Sequence, residues 1–426
     1  METLGEVRVF RQDDTELIQR LASDLYALSD PDESTIFELP PQMRFKDRFR
    51  LWFFRRLASN RHRRPSQIPV DGKTVRRVLL FRYDALGDYI TTTSILEWIH
   101  AAIPGVTIDV VGSYRNRALL ESDPRIRRVI SIHPSHRFRP SWFRVKRLGK
   151  VEDYDVVIAA VFTQMTKAAI LTSFASKRAL NVTIRHNERA GIYGQIFHSQ
   201  VPHRPAEHWV ETMGRVGSCA ISPVNTVPRD VARPRIPINT SAVLRVVEWL
   251  QLRGMRWSFR PDVARVIPSA PLPVVHSDAR SYIVVNISAY SPNRQWKGQT
   301  CVPVISELRK RCPDLDILVS GAPTEEREVR AIVAQVNDAH VHVWTGSITE
   351  MVAVIAGAHM LISPDTATIH VAAASGVPCT VLFAELIKVA EWCPYGVEFR
   401  GILSADPTTV NSIPVNIIVD AAMELM

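Results

Sequence analysis

Apolar positions along the chain fall into short runs separated by amphipathic stretches, and the regular alternation begins at Arg76. Val78–Phe81 has the length and composition of a buried parallel strand. A loop, Arg82-Tyr83-Asp84-Ala85-Leu86-Gly87-Asp88, follows. Behind it a helix is predicted with Ile90, Ile95, Ile99 and Ala102 on one face. Thr107–Val111, Val129–Ile132 and Val156–Ala160 read as further strands. Pro223, Pro228, Pro234 and Pro237 mark a linker or domain edge, and a second series starts beyond them. There, strands are predicted at Ile283–Ile287, Asp316–Ser320, His342–Trp344, Met360–Ser363 and Thr380–Phe383. The predicted helices are Cys301–Arg311, Glu325–Val336, Ile348–Ala358 and Ile369–Ser375. Strands alternating with helices predict an α/β protein with parallel, doubly wound sheets. Two such series predict two Rossmann-like domains facing a central cleft, with ligands held at the carboxyl ends of the strands.

Before Arg76 the pattern differs. Residues 1–43 are polar with one predicted helix around Asp13–Leu28, and Asp30–Gln42 reads as a linker. Arg44–Arg64 carries nine Lys/Arg and one Asp around the core Leu51-Trp52-Phe53-Phe54. Basic and aromatic residues together fit a membrane-surface helix on an anionic bilayer; they also fit a solvated helix packing its aromatics on the first domain. The resulting division is an N-terminal extension over residues 1–75 and domains over 76–236 and 237–426.

Composition narrows the class. With 46% apolar, 22% charged and 8% aromatic residues in 426, the chain is neither disordered nor collagen-like. No apolar run approaches the roughly 20 residues of a membrane-spanning helix, and Met1–Asp14 lacks the apolar core of a secretory signal. Cys219, Cys301, Cys312, Cys379 and Cys393 form no C-x-x-C pair. A disulfide framework or structural zinc is therefore not expected, and the reducing cytoplasm is, with peripheral contact at the inner face of the cytoplasmic membrane. The net charge of +9 is uneven: residues 281–426 hold nine basic and fifteen acidic groups, leaving the rest of the chain strongly basic. Val111–Lys150 alone has eleven Lys/Arg against two Asp/Glu. Such a surface suits an acidic acceptor or an anionic bilayer; no recognised nucleic-acid motif accompanies it.

Three strand-to-helix loops carry candidate chemistry. In the first, Gly87 permits a tight turn. Asp88 stands at a helix start, either as a reactive carboxylate or as a helix cap; Asp84 is a second candidate. In the second, Ser363-Pro364-Asp365-Thr366-Ala367-Thr368-Ile369-His370, backbone N–H groups and hydroxyls at a helix start suit a diphosphate, or simply cap the helix. In the third, Asn286-Ile287-Ser288-Ala289-Tyr290 precedes Arg294-Gln295-Trp296-Lys297, small polar residues beside cations. Asp153-x-Asp155 and Asp314-x-Asp316 each lead into an apolar strand and read as flanks rather than metal ligands.

The order of these loops resembles glycosyltransferase family 9, the ADP-heptose:lipopolysaccharide heptosyltransferases. The resemblance runs from Arg77-Val78-Leu79-Leu80-Phe81 and Gly87-Asp88, through Tyr154-Asp155-Val156-Val157-Ile158, Arg189-Ala190-Gly191 and His208-Trp209-Val210-Glu211. It ends on the most specific piece, Asp365-Thr366-x-x-x-His370-x-Ala372-Ala373-Ala374-x-Gly376-x-Pro378. It covers about residues 75–425. It implies a GT-B fold, the acceptor on the first domain and the nucleotide sugar on the second, and inverting transfer of a heptose onto an anionic glycolipid without metal or further cofactor. By the same resemblance Asp88 is the general base. Arg294 neutralises the leaving diphosphate, aided by Ser288, Asp365, Thr366, Ala367 and His370. Glu325 approaches the ribose or sugar, Gly346, Ser347 and Ile348 flank the nucleobase, and Arg115, Arg117 and Lys167 face the acceptor. The family usually has Gly at Ala367, an Asp with a polar residue at Ala159 and Ala160, and a small residue at Tyr290.

Overall fold

The computed structural model describes residues 7–26, 43–59, 67–132, 138–185, 189–224, 233–260, 266–268 and 279–426. The linker Asp30–Gln42, the ends of two predicted helices at Ala27, Leu28 and Asn60–Arg64, and residues 225–232 of the proline-rich stretch lie outside them. Two compact units emerge: Tyr26–Pro234, and Met1–Leu25 together with Arg235–Met426.

The first unit is built on a six-stranded, wholly parallel sheet. Its order is Ile126–Ile132, Thr107–Ser113, Arg77–Phe81, Val156–Ala159, Leu180–Ile184, Ser199–Val201. Alternation along Arg77–Phe81 sorts its side chains. Leu79 and Phe81 enter a core with Val145, Leu148, Leu171 and Phe54. These come from the helices Phe138–Val151, Met165–Ala175 and Phe45–Ser59, which cover one face of the sheet. Helix Leu86–Ala102 packs with Trp209–Ala220. Gly149 sets one contact closely: a Cβ there would stand 2.3 Å from the Ala175 carbonyl oxygen, so helix Phe138–Val151 rests directly on the end of Met165–Ala175.

The second unit has a seven-stranded sheet in the order Arg8–Arg11, Phe399–Leu403, Cys379–Phe383, Met360–Pro364, Tyr282–Asn286, Asp316–Ser320, Val341–Trp344. All pairs are parallel except the first. Ile283, Val285, Ile317, Val319 and Ile362 are buried with residues of helices Gly298–Arg311, Glu326–Val336 and Val415–Met423. Helices Thr240–Gln251 and Ala367–Ala374 pack against Ile348–Ala356. The strands Arg77–Phe81, Tyr282–Asn286 and Met360–Pro364 lead directly into the three candidate loops.

The N-terminal residues are shared out rather than forming one extension. Arg8–Arg11 adds an antiparallel edge strand to the second unit, whereas Phe45–Ser59 packs on the first. The strand is invisible to periodicity because only Phe10 of its four residues is buried. Helix Thr15–Tyr26 corresponds to the one predicted around Asp13–Leu28. Among the described residues no helix is long and apolar enough to cross a membrane.

Candidate functional site

In the first unit the strand Arg77–Phe81 ends in Arg82, whose side chain is fully buried. Arg82 Nε donates to the Asp88 carbonyl oxygen at 2.8 Å, Nη1 donates to the Ala160 carbonyl, and the guanidinium lies 4.2 Å over the Phe162 ring. Thr91 Oγ1 and Thr92 Oγ1 donate to the same Asp88 carbonyl at 3.0 and 2.7 Å. Three donors thus fix the backbone of Asp88 at the start of helix Leu86–Ala102.

The two candidate carboxylates separate cleanly. Asp84 is buried and accepts from the Phe162 N–H at 2.7 Å and Thr163 Oγ1 at 2.8 Å, with Arg82 3.6 Å away. Burial raises its carboxyl above the ordinary range, against the pull of Arg82. Both its oxygens hold the loop. Asp88 is half-buried; Oδ2 accepts from the Ala85 N–H at 2.9 Å and Oδ1 has no hydrogen-bond partner among the described residues. The helix-cap and reactive readings of Asp88 are therefore compatible: one oxygen serves each.

In the second unit Arg294 Nη1 donates to Asp365 Oδ2 at 2.7 Å and to the Asp365 carbonyl at 3.0 Å. Asp365 is 4% exposed; burial raises its carboxyl and Arg294 opposes that. Beside it runs a chain of polar groups. Asn286 Nδ2 donates to Ser363 Oγ at 3.0 Å and to the Ser288 carbonyl at 3.1 Å. Ser363 Oγ and Thr366 Oγ1 each lie 2.8 Å from Thr368 Oγ1. This chain ties the ends of strands Tyr282–Asn286 and Met360–Pro364 to the first turn of helix Ala367–Ala374, whose N-terminal N–H groups are a ready anion site. His370 is buried, its ring 5.8 Å from Trp392.

The other predicted residues are placed as follows. Glu325 Oε2 accepts from the Ala322 N–H at 2.8 Å, closing the turn before helix Glu326–Val336; it lines a cavity of about 440 Å³ with Gln295, Trp296 and Lys297. Ser347 caps the helix Ile348–Ala356: its N–H and hydroxyl both reach Glu350 Oε2, at 2.9 and 2.7 Å. Gly346 lies against Trp344, where a Cβ would stand 3.1 Å from Cζ2. Arg115 is exposed, Arg117 pairs with Glu121 at 2.6 Å, and Lys167 is buried near Tyr83 with its ammonium 5.0 Å from the ring. Burial lowers the Lys167 pKa, against Asp84. Asp155 Oδ2 accepts from the Arg76 and Arg77 N–H groups at 2.7 and 2.9 Å, and Asp316 pairs with Arg280. Among the described residues no three His, Cys, Asp or Glu side chains gather to hold a metal ion. Arg82 and Asn286 join the site without being singled out by sequence; the signal for each is a polar residue directly ending an apolar run.

Residues 142–410 match the family described as Glycosyltransferase family 9 (heptosyltransferase). The chain belongs to glycosyltransferase family 9. As a member it is a glycosyltransferase enzyme, and the earlier resemblance holds at family level. It is 25% identical over 320 residues to lipopolysaccharide heptosyltransferase 1 of Pseudomonas aeruginosa, covering 72% of this chain and 78% of that protein. A family 9 glycosyl transferase from Veillonella parvula superposes with TM-score 0.66 at 17% identity, over 84% of this chain and 98% of the other. Heptosyltransferase WaaC of E. coli, solved with ADP, gives 0.59 at 18% over 82% and 100%. ADP-heptose lps heptosyltransferase II of E. coli gives 0.60 at 16% over 82% and 98%. At these identities the structures establish a shared α/β fold of GT-B type.

The departures from the family pattern sit comfortably. Ala367 is the first residue of its helix and is not among the positive-φ positions, so its backbone does not require glycine. Ala159 ends a strand and the Ala160 carbonyl receives Arg82. Tyr290 is 86% exposed.

Proposed function

We propose that this family 9 enzyme transfers a heptose, or a related sugar, from an ADP-activated donor to an anionic cell-surface glycan such as the lipopolysaccharide inner core. The observation that carries the reading is the arrangement around helix Ala367–Ala374. A charged pair, Arg294–Asp365, and a hydroxyl-rich chain converge on a helix N-terminus suited to a diphosphate.

In this reading the donor diphosphate lies against the second unit, with Arg294, Thr366 and the first N–H groups of the helix as its donors. Asp365 holds Arg294 in place. The carboxylate of Asp88 takes the proton of an acceptor hydroxyl through its unengaged oxygen. The hydroxyl oxygen forms a bond to the anomeric carbon from the face opposite the leaving group. The bond from that carbon to the diphosphate oxygen breaks, and ADP departs with the electron pair, its developing charge met by Arg294. The anomeric centre inverts, and no metal is called upon. A relative solved with ADP and with ADP-2-deoxy-2-fluoro heptose, and one named a lipopolysaccharide heptosyltransferase, support the choice of donor and acceptor class.

Calorimetric titration with ADP, UDP, GDP and ADP-heptose, repeated on Arg294→Ala, tests this. Selective ADP binding weakened about tenfold or more in the variant, the scale of one or two charge-assisted bonds, supports it. Preference for UDP or GDP overturns the donor.

A further inference from the structure

The first unit carries a surface that the transfer reaction does not use. Helix Phe45–Ser59 has two opposed faces. Inward, Leu51 and Phe54 are buried, and Asp47 pairs with Arg50 and, at 3.2 Å, with Arg189. Outward, Phe45, Phe49 and Trp52 recur at helical spacing and are 84%, 58% and 57% exposed, with the Phe49 and Trp52 rings 5.8 Å apart. Arg44, Lys46, Arg48 and Arg55, all exposed, flank that stripe. Because the opposite face is pinned in the core, the helix cannot roll to hide its aromatics.

A second helix repeats the design. In Phe138–Val151, Val145 and Leu148 are buried and Trp142 stacks on Phe174 at 4.8 Å, while Phe143 and Val151 are 68% and 72% exposed. Arg144, Arg147 and Lys150 are exposed beside them. Both helices pack on Met165–Ala175 and feed the same core, so they lie in one layer on one side of the sheet. Across the two helices Asp47 is the single acidic residue, and it is spent on arginines.

We propose that this aromatic, cationic layer docks the first unit on an anionic bilayer surface, with Phe45, Phe49, Trp52 and Phe143 at the headgroup boundary and the lysines and arginines on lipid phosphates. The inference deepens the reading above, on which it rests for its purpose: an anionic glycolipid acceptor is met at such a surface. The chemistry is that of interfacial helices, in which rings partition into the headgroup region and basic side chains add attraction to anionic lipid. A solvated helix has no need to expose three adjacent large rings, and isolated exposed apolar residues do not make a stripe.

The test is sedimentation of the full chain with vesicles of phosphatidylglycerol and phosphatidylcholine, which contain no sugar acceptor. Binding to the anionic vesicles, weakened by salt and absent on pure phosphatidylcholine, is expected. Partitioning falls about tenfold or more in Phe45→Ser/Phe49→Ser/Trp52→Ser, and comparably in Arg48→Glu/Arg55→Glu. Retained hydrogen-exchange protection of strand Arg77–Phe81, in the same unit, shows that these surface variants fold. No preference for anionic vesicles, or unchanged partitioning of the aromatic variant, overturns the proposal. So does light scattering in which that variant turns a dimer into a monomer without losing vesicle binding, since the face would then cover a second copy. Vesicle binding without ADP binding overturns the donor reading and leaves the docking surface standing.

Discussion

Arg82→Met is the substitution whose consequences follow most directly from the geometry. Methionine keeps an unbranched apolar stem reaching about as far as Nε but removes three things: the donors to the Asp88 and Ala160 carbonyls, the contact over Phe162, and the cation beside Asp84. Asp84 has a 6% exposed side chain and would keep its two hydrogen bonds but lose its charge partner. Breaking a buried pair from one side costs about 3–5 kcal/mol, mostly the penalty of the orphaned charge. That penalty depends on pH with a definite sign. The Asp84 carboxyl is already raised above 3.8 by burial, and loss of Arg82 raises it further. A carboxyl whose folded pKa exceeds its unfolded one contributes stability that is complete below the unfolded value and disappears as pH rises through the folded value. The variant's deficit is therefore largest at neutral pH and narrows as pH falls toward about 4. Adding Asp84→Asn removes the orphaned charge, so the double variant recovers stability at neutral pH and loses the pH slope. Hydrogen exchange of Arg77–Phe81 under increasing urea reports on this unit alone. A deficit below about 1 kcal/mol, or one that is equal at acid and neutral pH, or one that Asp84→Asn does not relieve, would refute the reasoning.

Other substitutions probe separate features. Asp88→Asn keeps an oxygen for the Ala85 N–H, so ADP titration and unfolding should match the parent while sugar transfer falls about a hundred- to ten-thousandfold; appreciable transfer in a product assay removes Asp88 as the base. Gly357→Ala would place a Cβ 2.0 Å from Trp257 Cδ1, whose ring is 3% exposed and whose Nε1 donates to the Ala353 carbonyl at 2.7 Å. Overpacking and the strained hydrogen bond together should cost about 3 kcal/mol, seen as a lowered thermal midpoint; an unchanged midpoint contradicts the packing. Glu350, held by Arg245 and the Ser347 cap at about 2 instead of 4.5, contributes stability above pH 4.5 that is lost as pH falls toward 2. Arg245→Ala should remove about 1 kcal/mol of it at neutral pH after solvent screening, and the difference should vanish in acid titration monitored by unfolding.

Buried parallel strands were legible because both their faces are apolar: Asp316–Ser320 has the boundaries read from its hydrophobic run, and Tyr282–Asn286 differs by one residue at each end. Of the four edge strands, Ile126–Ile132 and Val341–Trp344 were read in part from their apolar residues, and the other two were not. Arg8–Arg11 buries one residue, and Ser199–Val201 is three residues long, too short to show a period. At the candidate site the sequence singled out Asp88, Arg294 and Asp365. That Arg294 bonds Asp365 could not be read from residues 71 apart. Lys167, assigned to the acceptor by the family resemblance, is 8% exposed and lies beside Tyr83 and Asp84, a burial that no sequence pattern announced.

Net charge misleads for the same reason, because arginines divide between two uses that composition cannot separate. Along Val111–Lys150, Arg125 pairs with Asp123 and Glu97, Arg127 with Asp109 and Glu152, and Arg128 with Glu152. These cations offset acids drawn from other parts of the unit, and they contribute little to an outward field. The excess that remains is concentrated on Phe45–Ser59 and Phe138–Val151, which hold Asp47 as their single acid, and there it is combined with exposed rings. A basic half-chain alone suits any polyanion. A layer that alternates exposed cations with exposed aromatics, and is anchored from behind by Phe54, Val145 and Leu148, suits a surface with both charge and an apolar interior, which a bilayer has and a free polyanion lacks.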